Sequence, residues 1–159
     1  MIPKIGDKIK SLRDTVGANY VRPSPERMAT LVANLGDRGK KYLFEERGFS
    51  DETIKHFNLG YDKEKDAIAI PIYKNGELIN IKYRIIEPKE NKYLSEKNAE
   101  PWFYNEDGVN RGLNSGRVLI VEGEFDLMSA WQAGIHNVVS PVAGKDSYGV
   151  FLELLDNVP

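Results

Sequence analysis

Apolar residues recur at helical spacing through the first third of the chain and at strand spacing afterwards, and the change falls near Asp66. Ile5, Ile9, Leu12 and Val16 share one face of a predicted amphipathic helix, with Lys8, Lys10 and Arg13 between them and Gly17 at its end. Tyr20 to Pro25 reads as a linker. Ser24-Pro25-Glu26 is a helix start, serine as cap and proline in the first turn, for a helix carrying Met28, Leu31, Val32 and Leu35 up to Gly36. A further helix is predicted from Asp37 to Arg47, closed by Gly48, and a short one from Ser50 to Phe57. The four together read as a helical packing layer.

Ala67 to Tyr73 is a strand-like run, Asn75-Gly76 is a two-residue hairpin signal, and Glu77 to Ile86 alternates as a second strand. Alternation puts Ile79, Ile81, Tyr83 and Ile85 on one face and Asn80, Lys82 and Arg84 on the other. Polar residues follow from Glu87 to Asn91, then the aromatic triplet Trp102-Phe103-Tyr104. Asn105 to Gly116, rich in Asn and Gly, reads as a hinge. Beyond it the order is strand (Val118 to Val121), helix (Phe125 to Ala133), strand (Val138 to Val142) and helix (Tyr148 to Asp156). Two strands separated by a helix imply a parallel βαβ unit with a right-handed crossover. Such a sheet has long unpaired edges, so the natural protein is expected to continue past Pro159. The fold class is α/β: an α+β amino-terminal subdomain followed by a partial βαβα unit.

Composition narrows this picture only slightly. A chain of 159 residues can bury one good core or two small subdomains sharing an interface. The net charge of -2 gives no global basic field, although the first 47 residues hold ten Lys/Arg against six Asp/Glu. Without cysteine there are no disulfides or thiolate zinc sites in this chain. No apolar run approaches a spanning helix and no signal-peptide pattern opens the sequence, so a soluble, cytoplasmic protein without a membrane partner is expected. No phosphate-binding P-loop, nucleophile elbow or metalloprotease motif occurs.

The most informative stretch is Arg117-Val-Leu-Ile-Val-Glu-Gly-Glu-Phe-Asp126, where a strand of the buried type runs into acids and then a helix. Ligands and metals gather at the carboxyl ends of strands in open α/β sheets, which makes Glu122 and Asp126 the leading candidates. Glu122 is expected at a partly buried position, where an acid needs a partner, either a ligand or a nearby Lys or Arg. Gly123 permits a tight turn and close approach of a ligand. Glu124 and Asp126 have a simpler reading, as acids complementing the macrodipole in a first helical turn. Lys82, Arg84 and Lys92 could grip phosphates or form a solvated mixed-charge face with Glu87 and Glu90. Trp102-Phe103-Tyr104 could stack bases or pack a core. His56 and His136 show no metal-ligand spacing.

Glu122-Gly-Glu-Phe-Asp-Leu127, entered from Val118-Leu-Ile-Val121 and followed by Ala130, Ala133-Gly134 and Asn137-Val-Val-Ser140, resembles the opening of a Toprim domain, shared by bacterial-type primases, topoisomerases and some nucleases. Tyr42-Leu-Phe-Glu-Glu-Arg-Gly-Phe-Ser50, Thr53-Ile54, Phe57-Asn-Leu-Gly-Tyr61, Ile70-Pro-Ile72, Arg84, Lys92-Tyr-Leu94 and Tyr104-Asn105 together resemble the amino-terminal half of the RNA-polymerase core of bacterial and phage (DnaG-like) DNA primases. The resemblance covers about residues 38 to 159 and divides the chain into a helical lead segment (1–37), a primase-core α/β subdomain (38–112) and a truncated Toprim subdomain (113–159).

The resemblance implies a parent enzyme that makes short RNA primers on single-stranded DNA from ribonucleoside triphosphates with Mg²⁺ or Mn²⁺, with a replicative helicase as a further possible partner. It makes Glu122 the essential acid and metal ligand, Asp126 a second metal ligand, and Arg84 and Lys92, with Lys82 in weaker support, the grip on template or nucleotide. Gly144 matches a glycine near the end of the second Toprim strand. The family's cysteine zinc module is absent here, and so is its downstream Asp-x-Asp, for want of which this chain by itself is expected to be inactive. The abbreviated core suggests a phage or plasmid origin. Two other readings stand beside it: a DNA-binding or helicase-loading module without catalysis, and a Toprim nuclease, against which residues 42 to 61 argue.

Overall fold

The structure, a computed structural model, describes residues 20–100 and 102–141. The expected helices at Ile5 to Val16 and Tyr148 to Asp156, and Gly144, lie outside the described residues.

Helix α1 (Pro25–Ala33) starts as its sequence dictates: the Ser24 hydroxyl accepts from the Arg27 N–H at 3.2 Å and Pro25 fills the first turn. It buries Met28 and Leu31 and stops three residues short of Gly36. Helix α2 (Asp37–Lys41) passes into a π-helical turn, Tyr42–Glu46, in which the Arg47 N–H reaches back to the Tyr42 carbonyl at 3.1 Å. The wider turn puts Tyr42 and Leu43, adjacent in sequence, both into the core. Helix α3 (Asp51–His56) is capped by Ser50, whose hydroxyl accepts from the Thr53 N–H at 3.2 Å.

Strands β1 (Gly60–Asp62), β2 (Ala67–Lys74), β3 (Glu77–Ile85) and β4 (Tyr93–Ser95) form an antiparallel sheet in that order. The β2–β3 turn is Asn75-Gly76, both at positive φ (51° and 78°), as the hairpin signal requires. Strict alternation fails in one place. Ile72 faces Asn80 but Tyr73 faces Leu78, so Ile79 is the extra residue of a β-bulge. Ile79 therefore leaves the face of Ile81 and Tyr83, which packs on α1 through Met28 and Leu31, and joins the opposite face with Ile68, Ile70 and Ile72. Lys82 and Arg84 stand on that same face, opposite Ile70 and Ile68. Both faces of this sheet are covered, which is why β2 reads as a nearly unbroken apolar run.

The second sheet has the order β5 (Phe103–Tyr104), β7 (Val138–Pro141), β6 (Leu119–Ile120). Strand β5 runs antiparallel to β7; β6 runs parallel to it, with helix α5 (Glu124–Gln132) as the crossover. The strand before the acids is not buried as expected: Leu119 and Ile120 are 38% and 42% exposed, whereas Val138 and Val139 are fully buried. The cause is order within the sheet, since β7 is central and β6 has a strand on one side only among the described residues.

The expected hinge at Asn105 to Gly116 is helix α4 (Glu106–Ser115). Its glycines serve contact, not flexibility. A Cβ on Gly108 would stand 2.1 Å from the Val138 carbonyl oxygen, and one on Gly112 would stand 3.0 Å from the Arg117 carbonyl oxygen. Glu106 ties α4 to the first sheet by accepting from the Asn75 N–H (2.8 Å) and from Trp102 Nε1 (3.1 Å). No helix among the described residues is long and apolar enough to cross a membrane.

Candidate nucleotide and nucleic-acid interface

One cluster joins the two sheets. Lys82 and Arg84 project from β3 toward the start of α5 and the π-turn. Lys82 Nζ donates to Glu124 Oε1 at 2.6 Å, with side-chain exposures of 13% and 1%. The Lys82 ammonium and the Arg84 guanidinium both lie on the Tyr93 ring, 4.6 and 4.9 Å from its centroid. Arg84 Nε also donates to the Tyr42 hydroxyl at 3.2 Å, and that oxygen accepts from Arg47 through Nε (2.9 Å) and Nη2 (2.6 Å). The Arg47 guanidinium lies 5.2 Å from the centroid of the Phe125 ring. Arg47, Lys82 and Arg84 thus converge on Tyr42, Tyr93 and Phe125. Of their charges, that of Lys82 meets a carboxylate at hydrogen-bond distance; the two guanidiniums share a neutral phenol. Planar forks held by neutral acceptors and ring faces keep N–H groups for phosphate.

The acids at the head of α5 divide by direction. Glu122 is exposed, not partly buried, because it follows a strand paired on one side only among the described residues. Gly123 is the N-cap, and a Cβ there would meet Asp126 Oδ2 at 3.1 Å, so the exposed Asp126 carboxylate folds back over the first turn. Glu124 is the buried, paired acid that had been expected at Glu122. Burial pushes its carboxyl pKa up, and the Lys82 charge pulls it down less strongly. Its Oε2 is buried without a hydrogen-bond partner among the described residues, as is the hydroxyl of Tyr104. Burial, then the Glu124 charge, raises the phenols of Tyr93 and Tyr104.

Of the residues singled out by sequence, Lys82 and Arg84 come together; Lys92 is exposed next to Tyr93, and its carbonyl accepts from the Ile85 N–H at 3.0 Å. Glu124, which its sequence position reads as an acid complementing the helix macrodipole, is instead buried against Lys82, and Arg47, Tyr42 and Tyr93 join the cluster without a site role read from the sequence. Helical spacing carried a signal for the first: Glu124, Leu127, Met128 and Trp131 fall at i, i+3, i+4 and i+7, which places the acid on the apolar stripe of α5. Arg47 and Tyr42 meet through the π-turn, for which the sequence has no comparable signature.

Around this site the aromatic and histidine side chains pack. Phe103 and Tyr104 are buried, and Lys74 Nζ lies 4.2 Å from the Trp102 ring centroid. His56 and His136 stack on Trp131 at 4.1 and 5.0 Å. Gln132 fastens the far end of α5 to α3, accepting from the Ser50 N–H and the Thr53 hydroxyl, both at 2.7 Å, and donating to the Gly48 carbonyl at 3.0 Å.

Comparison with known proteins bears on this arrangement. No protein-family model matches the chain. It is 28% identical over 155 residues to a DNA primase of Lactococcus lactis, covering 69% of this chain and 24% of that protein. It is 29% identical over 100 residues to a primase homolog protein of Arabidopsis thaliana, covering 62% and 28%. The chain therefore spans about a quarter of the length of the curated relatives it matches. Among solved structures, a DNA primase domain from Pseudomonas aeruginosa superposes with a TM-score of 0.68 at 17% identity, over 84% of this chain and 57% of that one. The Aquifex aeolicus primase, comprising zinc-binding and RNA polymerase domains, gives 0.64 at 20% identity, over 90% and 44%. A DnaG primase catalytic domain bound to single-stranded DNA gives 0.62 at 19%, over 87% and 55%. The resemblance to DnaG-like primases read from the sequence holds at the level of fold: the chain is folded as part of a DnaG-like primase catalytic core.

Proposed function

We propose that this chain, built as the amino-terminal part of a primase catalytic core, contributes to synthesis of RNA primers on single-stranded DNA. The observation that carries the reading is the convergence of Arg47, Lys82 and Arg84 beside the head of α5, where Glu122 and Asp126 stand open to solvent. A ribonucleoside triphosphate brings a dense negative charge, and two guanidiniums and an ammonium on a scaffold of tyrosines form a preorganised receptor for it. The exposed Lys92, next to Tyr93, is placed to extend the same basic surface along a template backbone.

Divalent metal is part of the reading. Among the described residues no group of three acids or histidines converges, so a complete protein cage is not present there. The donor set nonetheless fits Mg²⁺ or Mn²⁺, since Mg²⁺ binds through one or two carboxylates together with substrate phosphates, and Glu122 and Asp126 are hard, accessible oxygen donors. Such an ion, when bound, neutralises developing charge on the reacting phosphoryl group. Arg47, Lys82 and Arg84 orient the triphosphate, and Phe125 with Tyr93 supplies its apolar wall. Lacking an Asp-x-Asp pair, this chain alone is read as inactive. A cytoplasmic setting, in a bacterium or with a phage in its host, and contact with a replicative helicase go with the same reading.

The test is ribonucleotide incorporation on a single-stranded DNA template by the polypeptide that carries this chain, beside its Glu122→Gln variant, with Mg²⁺ and with Mn²⁺. Primer synthesis that disappears in the variant is expected. Synthesis unaffected by the substitution removes Glu122 from the reaction. No synthesis from a folded protein that binds DNA, under either metal, turns the assignment toward a non-catalytic DNA-binding module.

A further inference from the structure

The Lys82–Glu124 pair is poorly explained by stability. A buried ion pair recovers through attraction only part of what both ions lose on leaving water, and apolar residues of similar volume often serve a fold as well. Here the balance is less favourable still, because Glu124 Oε2 is buried without a hydrogen-bond partner among the described residues. The same stripe of α5 accepts Leu127 and Met128, both fully buried, so its surroundings suit an apolar side chain. The carboxylate does something specific to Lys82. It holds the ammonium at one end, the Tyr93 ring lines it at 4.6 Å, and Arg84 occupies the same ring. A lysine has a long, flexible stem and loses rotamer freedom when it grips an anion. Holding it in place beforehand removes that cost from binding.

We propose that Glu124 is a positioning residue for nucleotide binding: it fixes the Lys82 ammonium beside Arg84 so that both meet the phosphates of an incoming ribonucleoside triphosphate. The proposal rests on the nucleotide-cleft reading above. Glu124 itself touches no nucleotide, since its side chain is 1% exposed behind Lys82 and its charge would repel phosphate.

The experiment is a mutant cycle on the 159-residue chain, with N-methylanthraniloyl-GTP as the probe in Mg²⁺ buffer, read by fluorescence anisotropy, and with Tm recorded for every variant. Loss of one charge-assisted contact predicts about a tenfold weaker Kd for Lys82→Met. Glu124→Gln is expected to weaken binding about fivefold in the wild-type background and less than twofold in the Lys82→Met background, because its effect passes through the lysine. Equal loss in both backgrounds, or no loss in either, overturns the proposal. Should Glu124→Gln fail to fold, Lys82→Met with Glu124→Met replaces the pair at near-constant volume. That double variant is expected to fold and to bind as Lys82→Met alone does, and distinctly weaker binding overturns the proposal. Absence of binding by the wild-type chain removes the nucleotide cleft and the positioning role together. Binding that Arg84→Ala abolishes and Glu124→Gln leaves intact removes the positioning role alone.

Discussion

Gly108→Ala adds one methyl group in helix α4 and is expected to destabilise the protein, although alanine is the better helix former. The added Cβ would stand 2.1 Å from the Val138 carbonyl oxygen, 3.0 Å from its carbon and 2.8 Å from Asn105 Nδ2. Two of these three atoms are backbone of the central strand β7, which is paired on both sides and cannot give way. The helix must move instead. That movement breaks the Asn105 Nδ2 to Val138 carbonyl bond, now 2.8 Å, at about 1 kcal/mol. Overpacking adds about 1–3 kcal/mol, and the gain in helix propensity returns about 1 kcal/mol. The net loss is about 1–3 kcal/mol, a fall in Tm of roughly 5 °C for a chain of this length. Urea titration followed by far-ultraviolet circular dichroism measures it. Asn114→Ala, exposed on the same helix, is the control and should gain about 0.5 kcal/mol. A Gly108→Ala protein as stable as wild type would refute the close contact between α4 and β7, and with it the account of why this glycine-rich segment is a helix.

Two further outcomes follow from the cluster and the first sheet. Tyr42→Phe deletes the oxygen that Arg47 and Arg84 share, so stability should fall by about 1 kcal/mol, because both guanidiniums can turn partly to water. Nucleotide affinity should fall severalfold, and an unchanged Kd by anisotropy would show that the phenol does not orient the two arginines. Asp62 is a carboxylate whose burial raises its pKa but is outweighed by the Lys65 ammonium at 2.9 Å and the N–H groups of Lys65 and Glu64, so the net displacement is downward. A depressed native pKa means stability that is fully present above the ordinary value of 3.8 and is lost as pH falls below it, through the native value. Urea midpoints measured between pH 5 and pH 2 should therefore drop less steeply in Asp62→Asn than in wild type, and parallel curves would contradict this.

Local chemistry was legible wherever a few neighbouring residues decide the outcome. Ser24-Pro25-Glu26 and Ser50 start helices through caps made within three residues, and Asn75-Gly76 sets a hairpin through its own φ angles. The alternation of β3 placed Lys82 and Arg84 on one face because a strand has period two, and the order strand, helix, strand around Glu122 needs only the connection rule for parallel pairs. Other features depend on atoms far apart in the chain. How far Leu119-Ile120 is buried is settled by which strands stand beside it, and among the described residues β7 took the centre. Ile79 changed face because a bulge opposite Ile72 and Tyr73 inserted one residue into the register. Gly108 and Gly112 read as freedom along the chain and act as contact in space, since what a glycine permits is known only when its neighbour is.

The site shows the same division. Neighbouring residues were enough to put acids at the head of a helix that follows a strand, and two cations on one strand face. That Glu124, not Glu122, meets Lys82 follows from packing alone, because burial and pairing belong to the space between β3 and α5, residues 42 apart along the chain. Nearest-neighbour chemistry sets where an element begins and which way its side chains alternate. Which charge is buried against which is set by packing, where desolvation makes a pairing costly unless both partners arrive at the same place.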